Sequence, residues 1–407
     1  MGENSQTSVF LGYANSLPPD QLYSLKRQYL PLGKIGGLPS WLDPVNLPSP
    51  TDLICSVCTN PLSFLMQVYC TDTADPGNAF HRAIFVFVCR NAVCCKPNDA
   101  SNFRILRCQL PRINDFYSSE APLNPWVAGD VPDPYHNLST YAVLCGLCGC
   151  KATKKCSRCT SQWYCSRAHQ IADWNSTHKY VCGKSPISDL AQQEDKEQKE
   201  CGPNLYIFRE YAIEMDLETN LSLDLIEKLH IRREEADPRE ESSDDEMELV
   251  GKQDQKQLSD KIKQLKEYPG LECDITNKDF EAITESVKDL TFLRFQQLNA
   301  CNPEQILRYK RNGVPLLATD HSSIPEKIPN CLCGAARHFE FQLMPHLVSL
   351  LDVDSLGESL DWATVLVYSC SKSCQLANDG YAMEFVYKQD FVVVGCADEV
   401  KHDGVEK

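Results

Sequence analysis

At 407 residues the chain is longer than one ordinary domain, and 43% hydrophobic with 24% charged residues allows a core of normal size. Lys plus Arg number 40 against 56 Asp plus Glu, a net charge of −16 that disfavours nonspecific binding to nucleic acid and suits a basic partner. Its 22 cysteines stand mostly in close pairs, a pattern shared by disulfide scaffolds and metal sites.

The start, MGENSQTSVF, has neither a basic beginning nor an apolar h-region, so no secretory signal is expected. No apolar run approaches the ~18 residues of a membrane span; the best, Ala83 to Cys89, is of strand length. In a reducing compartment paired cysteines read as metal ligands, and zinc is the expected cofactor.

Residues 8–125 are rich in Gly, Pro, β-branched and aromatic residues, with short apolar runs between turn signals, which predicts β structure. Gly36, Gly37 and Pro39 are expected to set a tight turn at a strand end. A connector holding Pro122, Pro125, Pro132 and Pro134 leads into a compact Cys/His cluster within 140–184. There Cys145-x2-Cys148 is followed by Cys156-x2-Cys159, Cys165-x3-His169 and His178-x3-Cys182. Four ligand pairs suffice for two closed tetrahedral zinc sites, which are structural because no position is left for water or substrate. So short a segment has little core of its own, so metal must supply the folding energy, of order 10–16 kcal/mol per site. Cys150 falls outside the spacing and reads as a spare thiol.

Residues 185–290 are dense in charge and predict an acidic linker, partly helical or disordered. Ser242 and Ser243 precede Asp244, Asp245 and Glu246, either a kinase context or simply a solvated acidic loop. Asn204–Ile231 and Lys278–Leu298 carry enough helical periodicity to predict packed helices. The last segment, 300–398, returns to the texture of the first.

That return extends to register. Cys55-Ser-Val-Cys58 matches Cys331-Leu-Cys333; Phe64 and Gln67 then match Phe339 and Gln342. Ile84–Cys89 matches Val365–Cys370, a further cysteine follows in each (Cys94 or Cys95, and Cys374), and Asn114-Asp115-Phe116 parallels Gln389-Asp390-Phe391. We read this as an internal duplication of a β unit whose apolar face needs burial, with the finger and the acidic linker looping out between the halves. Each half offers one four-cysteine set: Cys55, Cys58, Cys89 and Cys94, with Cys95 a rival for the last, and Cys331, Cys333, Cys370 and Cys374. Zinc ligation and buried structural thiols both remain open for these sets. Cys70, Cys108, Cys201, Cys273, Cys301 and Cys396 have no partner spacing and read as core or surface thiols.

The segment from Cys145 to Cys182 resembles the MYND finger family, including Trp163-Tyr164-Cys165-Ser166 and Gln170-x3-Trp174-x3-His178-Lys179. It departs at His169, where most members have cysteine; histidine keeps the ligand count. The resemblance implies interleaved sites, Cys145, Cys148, Cys165 and His169 for one zinc and Cys156, Cys159, His178 and Cys182 for the other. It also implies docking of proline-containing peptides, for which Trp163, Tyr164 and Trp174 are candidates; packing of a tiny core explains them as well.

Over both halves the chain resembles the programmed cell death protein 2 family. The residues concerned are Leu11-Gly12-Tyr13, Lys34–Leu42, Phe80-His81-Arg82, Gln109-Leu110-Pro111-Arg112, Pro303–Tyr309 and Arg337–Pro345. This resemblance implies a mainly β fold with some α, a duplicated β domain shared with yeast ribosome-biogenesis factors. It also implies a dedicated chaperone for one basic small-subunit ribosomal protein, the homologue of bacterial ribosomal protein five, in cytoplasm and nucleus. Trp41, beside the turn, is a candidate for client contact because Trp is enriched at binding hot spots; an open sheet edge is another, by strand addition. The alternative is a transcriptional or chromatin adaptor recruiting corepressors through the finger. An enzyme such as a lysine methyltransferase would need a cofactor-binding glycine signature and an Asn-His-Ser type motif, and neither is present. His81 and His338 read as core or client contacts, and no direct nucleic-acid or membrane partner is expected.

Overall fold

Phe, Val and Ile dominate three consecutive strands, β3 (Ser63–Tyr69), β4 (His81–Val88) and β5 (Phe103–Leu110), and such side chains fit a pleated buried surface. Strand β4 is buried along its whole length because both its faces are covered. Earlier come β1 (Phe10–Asn15) and the two-residue β2 (Lys34–Ile35); the finger adds β6 (Lys154–Lys155) and β7 (Trp163–Tyr164). After the finger follow β8 (Tyr211–Leu217), β9 (Gln305–Tyr309), β10 (Arg337–Leu343), β11 (Thr364–Cys370) and β12 (Ala382–Gln389). This computed structural model describes residues 8–26, 33–70, 77–116, 140–183, 206–218, 289–322, 324–353, 359–375 and 380–391.

Ten of these strands close into one barrel in the order β1-β8-β2-β3-β4-β5-β12-β11-β10-β9, and closure leaves no open edge in the ring. The candidate open sheet edge for a client strand is therefore corrected, while the duplicated β domain stands. The halves join edge to edge, at β5–β12 and at β1–β8, so that each supplies the other's missing hydrogen-bond partners.

The duplication is visible in the ladder. Phe64 pairs with Phe87 and Met66 with Val86, with a register shift between; Phe339 pairs with Tyr368 and Phe341 with Val367, with a shift at the same place. The Gln67 amide clamps Ser40, accepting from its N–H at 2.9 Å and donating to its carbonyl; the Gln342 amide does the same to Leu316, both at 2.8 Å. Two departures from expectation emerge. Thr364 pairs with Gln389 as Ala83 pairs with Cys108, so the counterpart of Gln389 is Cys108 and the Asn114-Asp115-Phe116 parallel fails. And Tyr211 lies opposite Ile35 as Phe10 lies opposite Tyr309, which makes β8 the counterpart of β1. The first strand of each unit thus comes from the other side of the finger in sequence.

Strand β8 also corrects, for the described residues 206–218, the helix expected over Asn204–Ile231. Its apolar residues, Tyr211, Ile213, Met215 and Leu217, alternate with Glu214 and Asp216, a period of two that belongs to a strand. Of the second expected helix, the described part is present as Leu290–Cys301, N-capped by Asp289. The prolines at 122–134, residues 185–205 and 219–288 with Ser242 and Ser243, and Cys201, Cys273 and Cys396 lie outside the described residues.

Alternation along β4 sends Ile84, Val86 and Val88 to the barrel interior with Phe341, Val365 and Val367 of the other half, and Phe85 and Phe87 outward beneath the finger. Across the interior, Arg82 on β4 forms a bidentate pair with Glu340 on β10 at 2.7 and 2.9 Å, both fully buried. Burial alone would raise the Glu340 carboxyl, but the Arg82 guanidinium beside it holds it below the usual carboxylate range. Tyr309 adds a hydrogen bond at 2.9 Å and Ser369 another, completing the network that the Phe80-His81-Arg82 and Arg337–Pro345 motifs encode.

Candidate metal centres and the docked finger

The finger is built from local turns. The Gly149 N–H donates to Cys145 O at 2.9 Å and the Cys145 N–H to Cys150 O at 2.8 Å, with Gly149 at φ +68°. This left-handed turn points both thiols of Cys145-x2-Cys148 the same way. Cys156-x2-Cys159 repeats it, with Thr160 at φ +55° donating to Cys156 O. Ser166 then caps α1 (Arg167–Asp173), accepting from the His169 N–H at 3.1 Å, and the cap aligns Cys165 and His169. A π turn over Trp174–His178 leads into α2 (Lys179–Val181), and the Cys182 N–H donates to His178 O, bringing His178 and Cys182 to one side.

The eight residues converge as two groups: Cys145, Cys148, Cys165 and His169, and Cys156, Cys159, His178 and Cys182, with the ligand atoms of each within 4.8 Å of one another. Cys148 and Cys165 sulfurs are 3.7 Å apart, Cys156 and Cys182 3.9 Å, and Cys159 Sγ lies 3.5 Å from His178 Nε2. A tetrahedron with zinc–sulfur bonds of ~2.3 Å has edges of about 3.8 Å, whereas a disulfide is about 2.05 Å long. The donor set fits zinc, which would be held by His169 through Nδ1 and by His178 through Nε2. The two four-cysteine sets also come together, Cys55, Cys58, Cys89 and Cys94, and Cys331, Cys333, Cys370 and Cys374, each within the same 4.8 Å. Cys95 turns away to Asp361 and Lys388, so it is no rival ligand.

Trp41 is not a surface contact, and this corrects its reading as a client-binding residue. Its side chain is wholly buried, stacked on Phe85 and Phe87 at 5.2 and 5.9 Å and met edge-on by Tyr381 at 5.2 Å. Its Nε1 donates to Gly149 O at 2.8 Å, so the indole pins the finger's first knuckle onto the barrel. Tyr164, expected in a peptide groove, is buried too and donates to Asp173 Oδ2 at 2.6 Å. Trp163 and Trp174 are half-buried, with Lys155 over the first ring and Arg158 over the second. The finger is therefore continuous with the N-terminal half, and one apolar cluster runs from Phe85, Phe87 and Trp41 into Leu147, Ala152 and Tyr164. Tyr206, beyond the finger, closes it from the other side by packing on His169 at 4.4 Å, a contact no spacing announced.

The remaining expected residues fall into place. Gly36 and Gly37 take φ +61° and +64°; a Cβ at Gly36 would strike the Arg209 carbonyl. Cys70, Cys108 and Cys150 are buried thiols, and burial pushes Cys70 up to about 12. His81 is buried against Tyr69 and His338 is exposed.

Residues 8–124 match the family model described as programmed cell death protein 2, N-terminal domain, and residues 289–394 its C-terminal putative domain. Residues 145–182 match the MYND finger, a zinc-binding domain. Programmed cell death protein 2 of Bos taurus is 34% identical over 96% of this chain and 98% of its own length; that of Rattus norvegicus is 36% identical over 94% and 96%. Probable 20S rRNA accumulation protein 4 of Schizosaccharomyces pombe is 38% identical over 117 residues, covering 25% of this chain and 28% of that protein. No solved structure matches. With both family models and near-full-length relatives in agreement, the chain belongs to the programmed cell death protein 2 family.

Proposed function

We propose that the protein is a non-catalytic, zinc-dependent adaptor that chaperones one basic small-subunit ribosomal protein, the homologue of bacterial ribosomal protein five, during ribosome biogenesis in cytoplasm and nucleus. The observation that carries this reading is the partial similarity to a protein named for 20S rRNA accumulation. The net charge of −16 supports it, since an acidic surface shields a basic client from wrong nucleic-acid contacts.

A second reading, recruitment of corepressors through proline-containing peptides, is favoured by one observation: the finger leaves Ile171, Tyr180 and Val181 exposed and Trp163 half-buried. Because the finger is part of the N-terminal half's cover, its deletion would uncover Trp41 and confound the test. The full chain and an Ile171→Ser/Tyr180→Ser variant are instead used to capture proteins from a ribosome-synthesising extract at mild salt. The chaperone reading expects one small-subunit ribosomal protein on both baits. Its absence from both would sink that reading, and its loss with the finger variant alone would move client binding to the finger.

A further inference from the structure

We infer that the two four-cysteine clusters of the barrel are closed zinc centres, which brings the chain to four zinc ions, two outside the finger. The inference rests on the knuckles, because the finger supplies an internal standard. In the finger's first knuckle Gly149 N–H donates to Cys145 O and Cys145 N–H to Cys150 O, and an isolated bridge joins Leu144 to Lys151. In the barrel, Thr59 N–H donates to Cys55 O at 3.0 Å and Cys55 N–H to Asn60 O at 2.8 Å, and a bridge joins Ile54 to Pro61. Each position of one loop corresponds to the same position of the other, including the left-handed residue after the second cysteine, Gly149 at φ +68° and Thr59 at φ +60°. Threonine in that conformation is strained, and a strained turn persists where its surroundings over-determine it. Thr160 of the finger's second knuckle, at φ +55°, shows the same strain in the same place.

The C-terminal cluster uses the loop shortened by one residue: Gly334, at φ +82°, donates to Cys331 O, and Cys331 N–H donates to Ala335 O, both at 2.8 Å. The CxC spacing is thus the same knuckle with one residue removed. Sulfur separations are 3.6 Å for Cys58 and Cys89, 3.6 Å for Cys331 and Cys374, and 3.7 Å for Cys333 and Cys370, close to the edges of a zinc–thiolate tetrahedron.

The surroundings fit a charged centre. Four thiolates on a divalent cation carry two negative charges, and hydrogen bonds from the next shell offset them. Backbone N–H groups of Val57 and Asn91 point at Cys55 and Cys89, each at 3.4 Å. Arg107 of β5 reaches across the seam to the other half's cluster, with Nη2 3.4 Å from Cys374 Sγ and Nε on Glu384 at 2.7 Å. Glu384 in turn accepts from the Cys370 N–H at 3.2 Å. Lys388, which occupies the register position of Arg107 in β12, crosses in the opposite sense to Cys95, next to Cys94, at 3.4 Å. The C-terminal centre is thereby tied to the last strand of the opposite half, whereas Lys388 reaches only the non-ligand neighbour of Cys94 and also pairs with Asp390 at 3.0 Å.

Zinc and free thiols differ in stoichiometry and reactivity. Full-length protein purified without chelator is examined by native mass spectrometry and elemental analysis. Four zinc ions per chain are expected; two or three, or iron in the clusters, would overturn the inference. A Cys333→Ser/Cys374→Ser variant should lose one zinc and keep three. Should that variant fail to fold, alkylation of the wild-type chain decides. Cys333 is exposed, so as a free thiol it reacts at once, whereas as a ligand it stays unlabelled until chelation removes the metal. Immediate labelling of Cys333 in the metal-replete protein would defeat the assignment.

Discussion

The two halves of the barrel share a ladder and differ in what covers its outer face. On the N-terminal half, Phe64, Phe85, Phe87 and Trp41 are sealed beneath the finger. At the matching places the C-terminal half has Phe339, Leu366, Tyr368 and Leu317, covered by its own loop through Ile324 and Ile328, with Phe385 and Tyr387 left half-buried. Strands in matching register thus tolerate two covers, one a metal-binding finger and one a loop of chain. The finger is accordingly a structural part of the N-terminal half.

The largest test of that contrast removes the finger's metal. A structural zinc contributes of order 10–16 kcal/mol of binding free energy to its fold, so Cys148→Ser should disorder the finger and uncover Trp41. Hydrogen exchange should then rise in β3 and β4 far more than in β10 and β11; equal change in both halves would refute the cover assignment.

Next in size is the interior pair. The register counterpart of Arg82 is Ala363, so the N-terminal half alone supplies the cross-barrel cation. Arg82→Met removes the bidentate partner of a buried carboxylate, leaving it the weaker ion pair with Arg311 at 3.7 Å, and should cost ~3 kcal/mol in urea unfolding, while Arg82→Met/Glu340→Leu should recover much of that loss. Equal losses in single and double variants would show that the pair is not coupled.

A smaller effect separates the covers themselves. Trp41→Phe keeps most of the stacking but leaves Gly149 O without its indole donor, a loss of ~1–3 kcal/mol. Leu317→Met, at the matching place, should stay within ~1.5 kcal/mol. Thermal unfolding compares the two, and an equal drop in Tm would erase the distinction.

The last effect is a pH slope, modest per unit of pH and confined to one half. Burial lowers His81 to about 4 from an ordinary value of 6.5, and its register counterpart is Trp362, which does not titrate. Neutral His81 therefore contributes stability that is fully present above pH 6.5 and is lost as pH falls towards 4. The slope is at most ~1.4 kcal/mol per pH unit. Cysteine ligands also protonate in acid, so the measurement is the difference between wild type and His81→Phe. Parallel curves through that window would mean that His81 is not buried neutral.

Fifteen of the sixteen cluster residues were legible in spacing, because a knuckle is a few residues long and its ligands must face one way whatever surrounds them; the choice between Cys94 and Cys95 needed the structure. The strand alternation of Tyr211, Ile213, Met215 and Leu217 was also present, but charged neighbours and helical spacing on either side masked it. Trp41 illustrates the opposite case. An indole beside a Gly-Gly turn is equally suited to a partner or to a core, and its partner, the Gly149 carbonyl, lies 108 residues away.

By itself, then, the sequence determined the β character, the duplication and the cysteine and histidine pairs of the finger, since each depends on local periodicity or ligand spacing, while the interleaving of those pairs was implied by the family resemblance. Tertiary structure alone decided that the halves share one barrel, that β1 and β8 exchange places, and that the finger is docked rather than tethered. Those outcomes depend on which edges and faces meet, and contacts between distant segments leave no periodic trace in either one.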